Sequence, residues 1–191
     1  MKNHSTNRCS WANTAPIYID YHDTEWGVPV FDEQKLFESL ILDGMQAGLS
    51  WITILKRREN YRQSFDNFDP LKIIKYNQRK IDYLLNDTGI IRNKLKIQSV
   101  ITNAQAYLET KEEWGNFSDY IWHFVDGKPI KNKWKRLDQI PPSSSISDAM
   151  SKDLKKRGFK FVGATICYAF MQAKGLVNDH LTTCFRHNEV G

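Results

Sequence analysis

Three groups of residues have the types and spacing to do chemistry. The first is an acid among aromatics: Trp11, Tyr18, Tyr21, Trp26 and Trp51 crowd the first third of the chain, and Asp43 follows Leu36 by seven residues and Leu40 by three. On a helix those intervals put the Asp43 carboxylate on the apolar face, where a charge is costly unless it is paired or holds a ligand. Plainer arrangements stay open. The helix could end ahead of Asp43, since Gly44 follows it; a Lys or Arg could neutralise the acid; and Trp and Tyr often cluster to pack a core. The second group is thiol and imidazole. His180 and Cys184, four apart, share a face if they lie on a helix, and Cys9 and His22 could complete a Cys2His2 metal site from the other end of the chain. No local CxxC pair singles out that set, and His4 and His187 are equally available. Cys167, between Ile166 and Tyr168, reads as a core thiol. The third is Arg157-Gly-Phe-Lys-Phe-Val-Gly163, where Gly158 and Gly163 frame a tight hairpin around Lys160. The apolar helix starting at Ala164 offers unpaired amides there that could bind a phosphate, unless the segment is a simple inter-helix turn.

Helices must position these groups. Leu36, Phe37, Leu40 and Ile41 recur at helical spacing from Asp32; Trp51 to Phe65 reads as a second helix with Ser50 as its N-cap; and Ile97, Ile101, Ala104 and Leu108 form one face of a long third. Gly89 interrupts two helical stretches within Leu84–Arg92. Asp126-Gly-Lys-Pro129 is a turn, and Ile140-Pro-Pro-Ser-Ser-Ser145 delivers the chain to a helix capped by Ser147, apolar at Ile146, Met150 and Leu154, and ended by Gly158. GxSxG, Walker A and GxGxxG motifs are absent.

Composition narrows the classes. In 191 residues, 24 aromatics (6 Trp, 8 Tyr, 10 Phe) supply enough apolar surface to fold a single unit, which argues against disorder. No run approaches the roughly 18 apolar residues of a spanning helix, and Met1–Asn7 lacks a signal-peptide core, so a cytoplasmic protein away from membranes is expected. Three cysteines do not make a disulfide framework. A net charge of +5 suits a polyanionic partner, with the basic residues densest at Lys56–Arg58, Lys128–Arg136 and Lys152–Arg157.

Taken together, Cys9-Ser-Trp11, Tyr18-Ile-Asp-Tyr-His-Asp-Thr-Glu-Trp-Gly-Val-Pro29, Gln46-Ala-Gly-Leu-Ser-Trp51, Gly158-Phe-Lys-Phe-Val-Gly163 and Val177-Asn-Asp-His180 resemble the constitutive bacterial 3-methyladenine DNA glycosylase I (TAG) family, in the same order and from about Cys9 to Cys184. The resemblance implies an all-α helix-hairpin-helix DNA glycosylase fold over residues 1–191, with two helical lobes around a base pocket and a zinc site joining the N- and C-terminal segments. It implies hydrolysis of the N-glycosidic bond of 3-methyladenine in double-stranded alkylated DNA by a monomer without obligate protein partners. Residue by residue, Cys9, His22, His180 and Cys184 match structural zinc ligands with no position open to water. Trp11, Tyr21 and Trp51, with Tyr18 and Trp26 nearby, match the base pocket. Gln46, Gly48 and Leu49 match the loop that plugs the duplex where a base has left, and the hairpin of Gly158, Lys160 and Gly163 would hold the DNA backbone. One position departs: Asp43 stands where better-known members carry glutamate. That shorter acid, and Asn178 near the place where other glycosylases of the superfamily carry an aspartate, keep a non-cleaving alkylation-damage DNA-binding module as the alternative.

Overall fold

The computed structural model describes residues 7–190. His4, one of the alternative metal ligands, lies outside the described residues, as does most of Met1–Asn7. A 3-10 turn, Ser10–Thr14, leads to α1 (Pro16–Thr24), whose first position suits the fixed φ of Pro16. Asp32 caps α2 (Glu33–Gln46), accepting from the Lys35 amide at 2.8 Å. The helix continues through Asp43 and Gly44, so the acid is held on a regular face. The single helix expected over Trp51–Phe65 is two, α3 (Trp51–Leu55) and α4 (Arg58–Ser64), separated by a turn in which the Arg57 amide donates to the Ile54 carbonyl at 2.9 Å. Ser50 occupies the N-cap of α3, but its hydroxyl pairs with that of Thr53; the Tyr18 hydroxyl instead accepts from the Ile52 amide at 2.9 Å.

α5 (Pro70–Ile73) and α6 (Gln78–Asn86) lead through the turn at Gly89 into α7 (Lys94–Trp114), capped by Asn93. Ile97 and Ala104 on its apolar face are buried, and Ile101 and Leu108 half-buried. α8 (Phe117–Trp122) precedes β1 (Ile130–Lys131), which pairs in parallel with β2 (Val177–Asn178), Ile130 opposite Val177. The cap of α9 (Ser145–Lys156) is Ser144, not Ser147. The two serines form a capping box, each amide donating to the other's hydroxyl at 3.2 and 2.8 Å, because Ser147 already lies in the first helical turn. The hairpin then turns the chain into α10 (Ala164–Ala173), which packs on α9 and α2.

The main core gathers α2, α4, α7, α8 and α10 around Phe37, Tyr61, Phe65, Tyr120 and Phe170. A smaller cluster, Cys9, Tyr21, Trp26, Leu55, Ala173 and Cys184, joins the two ends of the chain. Among the described residues, no helix is long and apolar enough to cross a membrane.

Candidate base pocket and metal centre

α1, α2, α3 and α10 converge on a cavity of about 570 Å³ whose lining includes Trp11, Tyr18, Tyr21, Trp26, Trp51, Asp43 and Gln46. Five aromatics and an acid picked out along the sequence thus meet in one place, with Leu137 and Pro141 also in the lining. Trp11 stands edge-on to Tyr18 and Trp26, centroids 5.6 and 5.1 Å apart, and Tyr21 leans on Trp51 at 5.6 Å. The Tyr18 hydroxyl is spent on α3, so Tyr18 positions Trp51 as well as lining the wall. A cavity of about 660 Å³ lies on the other side of Tyr21 and Trp51, but the charges along it are largely spent on one another in the pairs Glu25–Arg58 and Glu38–Arg62. The smaller, aromatic cavity is the one equipped to hold a flat ligand.

Asp43 is only 2% exposed and accepts from the Ser39 hydroxyl, one turn earlier, at 3.1 Å. Burial pushes its carboxyl up to about 7, against the opposing pull of the Lys174 ammonium and the Ser39 bond. Burial, then the nearby Asp43 charge, raises Tyr21 well above the usual phenol range, so its hydroxyl remains a donor. The arrangement offers aromatic faces and one acid to a planar cation, the kind of ligand whose charge would restore ionisation at Asp43.

Beyond the cavity, Leu49 is 39% exposed on the loop following α2. Lys96 of α7, itself buried, donates to the Met45 and Ala47 carbonyls at 2.8 and 2.6 Å, closing the end of α2 and fixing where this loop departs. The hairpin is fixed by Asn103, whose side chain bonds both the amide (2.7 Å) and the carbonyl (3.1 Å) of Lys160. The Lys160 amide is therefore taken and its side chain exposed, while the Gly163 and Ala164 amides meet no acceptor among the described residues. Gly44 lets the hairpin sit against α2, since a Cβ there would meet the Phe161 Cβ at 3.2 Å.

At the junction of the chain ends, Cys9, His22, His180 and Cys184 are all buried and place their ligand atoms within 4.8 Å of one another. The Sγ···N separations are 3.8 Å (Cys9–His180), 3.6 Å (Cys184–His180) and 3.4 Å (Cys184–His22). A tetrahedron with metal–sulfur bonds of about 2.3 Å and metal–nitrogen bonds of about 2.0–2.1 Å has edges of roughly 3.5 Å, so the set fits a metal ion. His180 Nε2 donates to the Trp26 carbonyl at 2.9 Å, and His22 Nδ1 donates to Asp23 at 2.7 Å, which leaves the inward nitrogens free to ligate. Arg8 anchors Asp23 in turn. Hydrogen bonding from Cys9 draws the Cys184 thiol down, against the opposing effect of burial. His180 and Cys184 do not lie on a helix as their spacing suggests; a turn closed by Cys184 N–H to Leu181 O at 2.7 Å brings them together. Trp26 packs edge-on to His180 at 4.6 Å, so one wall of the cavity rests on this Cys2His2 cluster. Gly27, at φ +80°, approaches so closely that a Cβ would lie 2.9 Å from His180 Nε2. Gly27→Ala is expected to destabilise the protein by about 2 kcal/mol or more, read as a fall in unfolding temperature of about 4–8 °C.

Sequence reasoning missed Asp179. It is fully buried, and its Oδ1 accepts from Asn132 and Trp134 (2.7 Å each) while its Oδ2 accepts from Tyr168 (2.7 Å) and Gln172 (2.8 Å). Four donors saturate it, and Asn178 is likewise spent on the His187 and Val190 carbonyls and the His180 amide. Neither is available to activate water.

Comparisons place this geometry. The chain matches the Methyladenine glycosylase family over residues 11–187. It is 55% identical over 177 residues to DNA-3-methyladenine glycosylase 1 of Escherichia coli (strain K12), covering 93% of this chain and 95% of that protein. A crystal structure of 3-methyladenine DNA glycosylase I (TAG) superposes with a TM-score of 0.91 at 56% identity, over 94% of this chain and 98% of that one. A tyrosine-to-phenylalanine variant of 3-methyladenine DNA glycosylase I, solved in complex with 3-methyladenine, superposes at 0.90 with 35% identity, over 94% and 96%. With the family's sequence pattern spanning nearly its whole length and the same helical architecture, the chain belongs to the methyladenine glycosylase family.

Proposed function

We propose that this protein excises 3-methyladenine from alkylated double-stranded DNA, with Asp43 and the aromatic cavity as the base site. The observation that carries the reading is a nearly inaccessible carboxylate, without a salt-bridge partner among the described residues, on the wall of a cavity built from Trp11, Tyr21 and Trp51. Adenine alkylated at N3 in DNA is cationic, so its glycosidic bond is already weakened. The C1′–N9 electron pair leaves with the purine and neutralises it, and water adds to the sugar carbon with loss of a proton. The protein therefore need not protonate the leaving base. Its work is to extrude the nucleotide, stack the purine on Trp11 and Trp51 with Tyr18 and Trp26 behind, and hold the cation beside Asp43 with the Tyr21 hydroxyl reading its edge. Unmodified adenine, being neutral, gains neither the carboxylate nor the cation–π attraction.

Gln46, Gly48 and Leu49 would enter the space the base vacates, and the hairpin of Gly158, Lys160 and Gly163 would hold the backbone through the free Gly163 and Ala164 amides and the exposed Lys160 side chain. Zn2+ bound by Cys9, His22, His180 and Cys184 would supply no reaction chemistry; it would fasten the two ends of the chain behind the pocket wall. The two lobes around the cavity act as one unit in a cytoplasmic monomer, a setting in keeping with three buried cysteines outside any disulfide.

Alkali-labile abasic sites should accumulate at adenines when methylated duplex is incubated with the protein, and none in unmodified duplex. Bound but uncleaved DNA would contradict the reading. Because the acid must be ionised to attract the cation, kcat/KM is expected to fall about tenfold per pH unit below about 7 and to level off above it. Asp43→Asn should flatten that limb in the same pH series.

A further inference from the structure

We infer that Lys131, Lys133 and Lys135 form a strip that tracks the phosphate backbone of duplex DNA beside the base pocket, an inference that rests on the proposed function. Each of the three basic runs has one arginine held in ion pairs: Arg58 grips Glu25 with bonds of 2.6 and 2.7 Å, Arg157 is shared between Asp153 and Glu113 at 2.7 Å each, and Arg136 meets Asp138 at 2.9 Å. In the third run, Lys131, Lys133 and Lys135 are exposed, and none forms an ion pair among the described residues.

The segment carrying them runs alongside β2 and its continuation as far as Trp134 and bends at Lys135. The Ile130 amide donates to Leu176 O (2.9 Å), Asn132 to Asn178 O (3.1 Å), and Thr182 donates to Trp134 O (2.8 Å), prolonging the β1–β2 ladder. In an extended chain alternate side chains share a face, roughly 6.6 Å apart. Accordingly the three lysines point out while Asn132 and Trp134 point in, both bound to Asp179 at 2.7 Å. The other oxygen of Asp179 holds Tyr168 and Gln172, two residues of the cavity wall, and Leu137, two residues past Lys135, lines the cavity itself. A row of unpaired cations is thus pinned through one buried carboxylate to the wall of the base pocket, where a strand entering the site would pass. Rigid mounting is what distinguishes it from a loose solvated patch, because little ordering entropy opposes contact with successive phosphates.

The test uses the full-length protein and a duplex containing a tetrahydrofuran abasic analogue, which cannot be cleaved. The triple variant K131Q/K133Q/K135Q is compared with wild type and with K72Q/K75Q/R79Q, which removes the same charge elsewhere on the surface. Three phosphate contacts predict that the slope of log affinity against log salt shrinks by about 2.7, so wild type loses about 40-fold more affinity than the strip variant between 50 and 200 mM salt. The control variant should keep the wild-type slope, and single-turnover base release from saturating methylated duplex should be unchanged in both. An unaltered slope in the strip variant, or equal losses in the two variants, overturns the strip. Failure of wild type to release base would instead count against the proposed function and leaves the salt measurement readable.

Discussion

Asp43→Asn is expected to lower single-turnover excision of 3-methyladenine by about 10²–10³-fold, the range found when one preorganised electrostatic group is removed from a buried site. The replacement keeps the shape and can still accept from Ser39 Oγ, so it deletes the charge and little else. Its stability should move the other way. The Asp43 carboxyl sits near 3.8 in the unfolded chain and is raised to about 7 by burial in the folded one, so between those values the folded state binds more protons. Its contribution to stability is therefore present below about pH 4 and lost as pH rises towards 7. At pH 8 the asparagine variant is expected to unfold at a temperature equal to or above that of wild type. Lost excision in a protein of undiminished stability assigns the effect to chemistry; unchanged excision would remove Asp43 from the mechanism.

Cys184→Ala carries the second large effect. Elemental analysis of purified wild type should find about one equivalent of zinc, and the variant less than about 0.1. The ligands come from residues 9–22 and 180–184, and Trp26 leans on His180, so loss of the ion frees the chain ends and a pocket wall together. An unfolding temperature lower by more than about 10 °C is expected, since closed zinc sites contribute their binding free energy directly to folding. Folded wild type with well under one equivalent of metal would contradict the closed-site reading.

What the sequence made legible followed from local periodicity. Asp43 could be placed on an apolar face because Leu36 and Leu40 set the phase of α2, and Ser39, one turn before it, could have been read as its hydrogen-bond partner by the same rule. His180 and Cys184 were legible as ligands, but their i, i+4 spacing suggested a helix where the chain forms a turn; both geometries bring side chains four apart together. Residues that act across the fold left no such trace. Lys96 looks like any polar position of a long helix until α2 ends against it and offers the Met45 and Ala47 carbonyls. Asp179, beside a metal-ligand candidate, gains its four donors from the segment after β1 and from α10, so no window of sequence contains the network. The break between α3 and α4 leaves no mark in the sequence because Trp51, Ile54, Leu55 and Phe65 keep an apolar rhythm across it.

Chromatography of the small molecules freed from methylated duplex DNA shows whether this pocket releases one particular cationic base. Free 3-methyladenine should be the principal purine released by wild type and should fall with Asp43→Asn, with adenine absent from both. Release of no purine, or of unmodified adenine alongside the methylated base, would contradict the account.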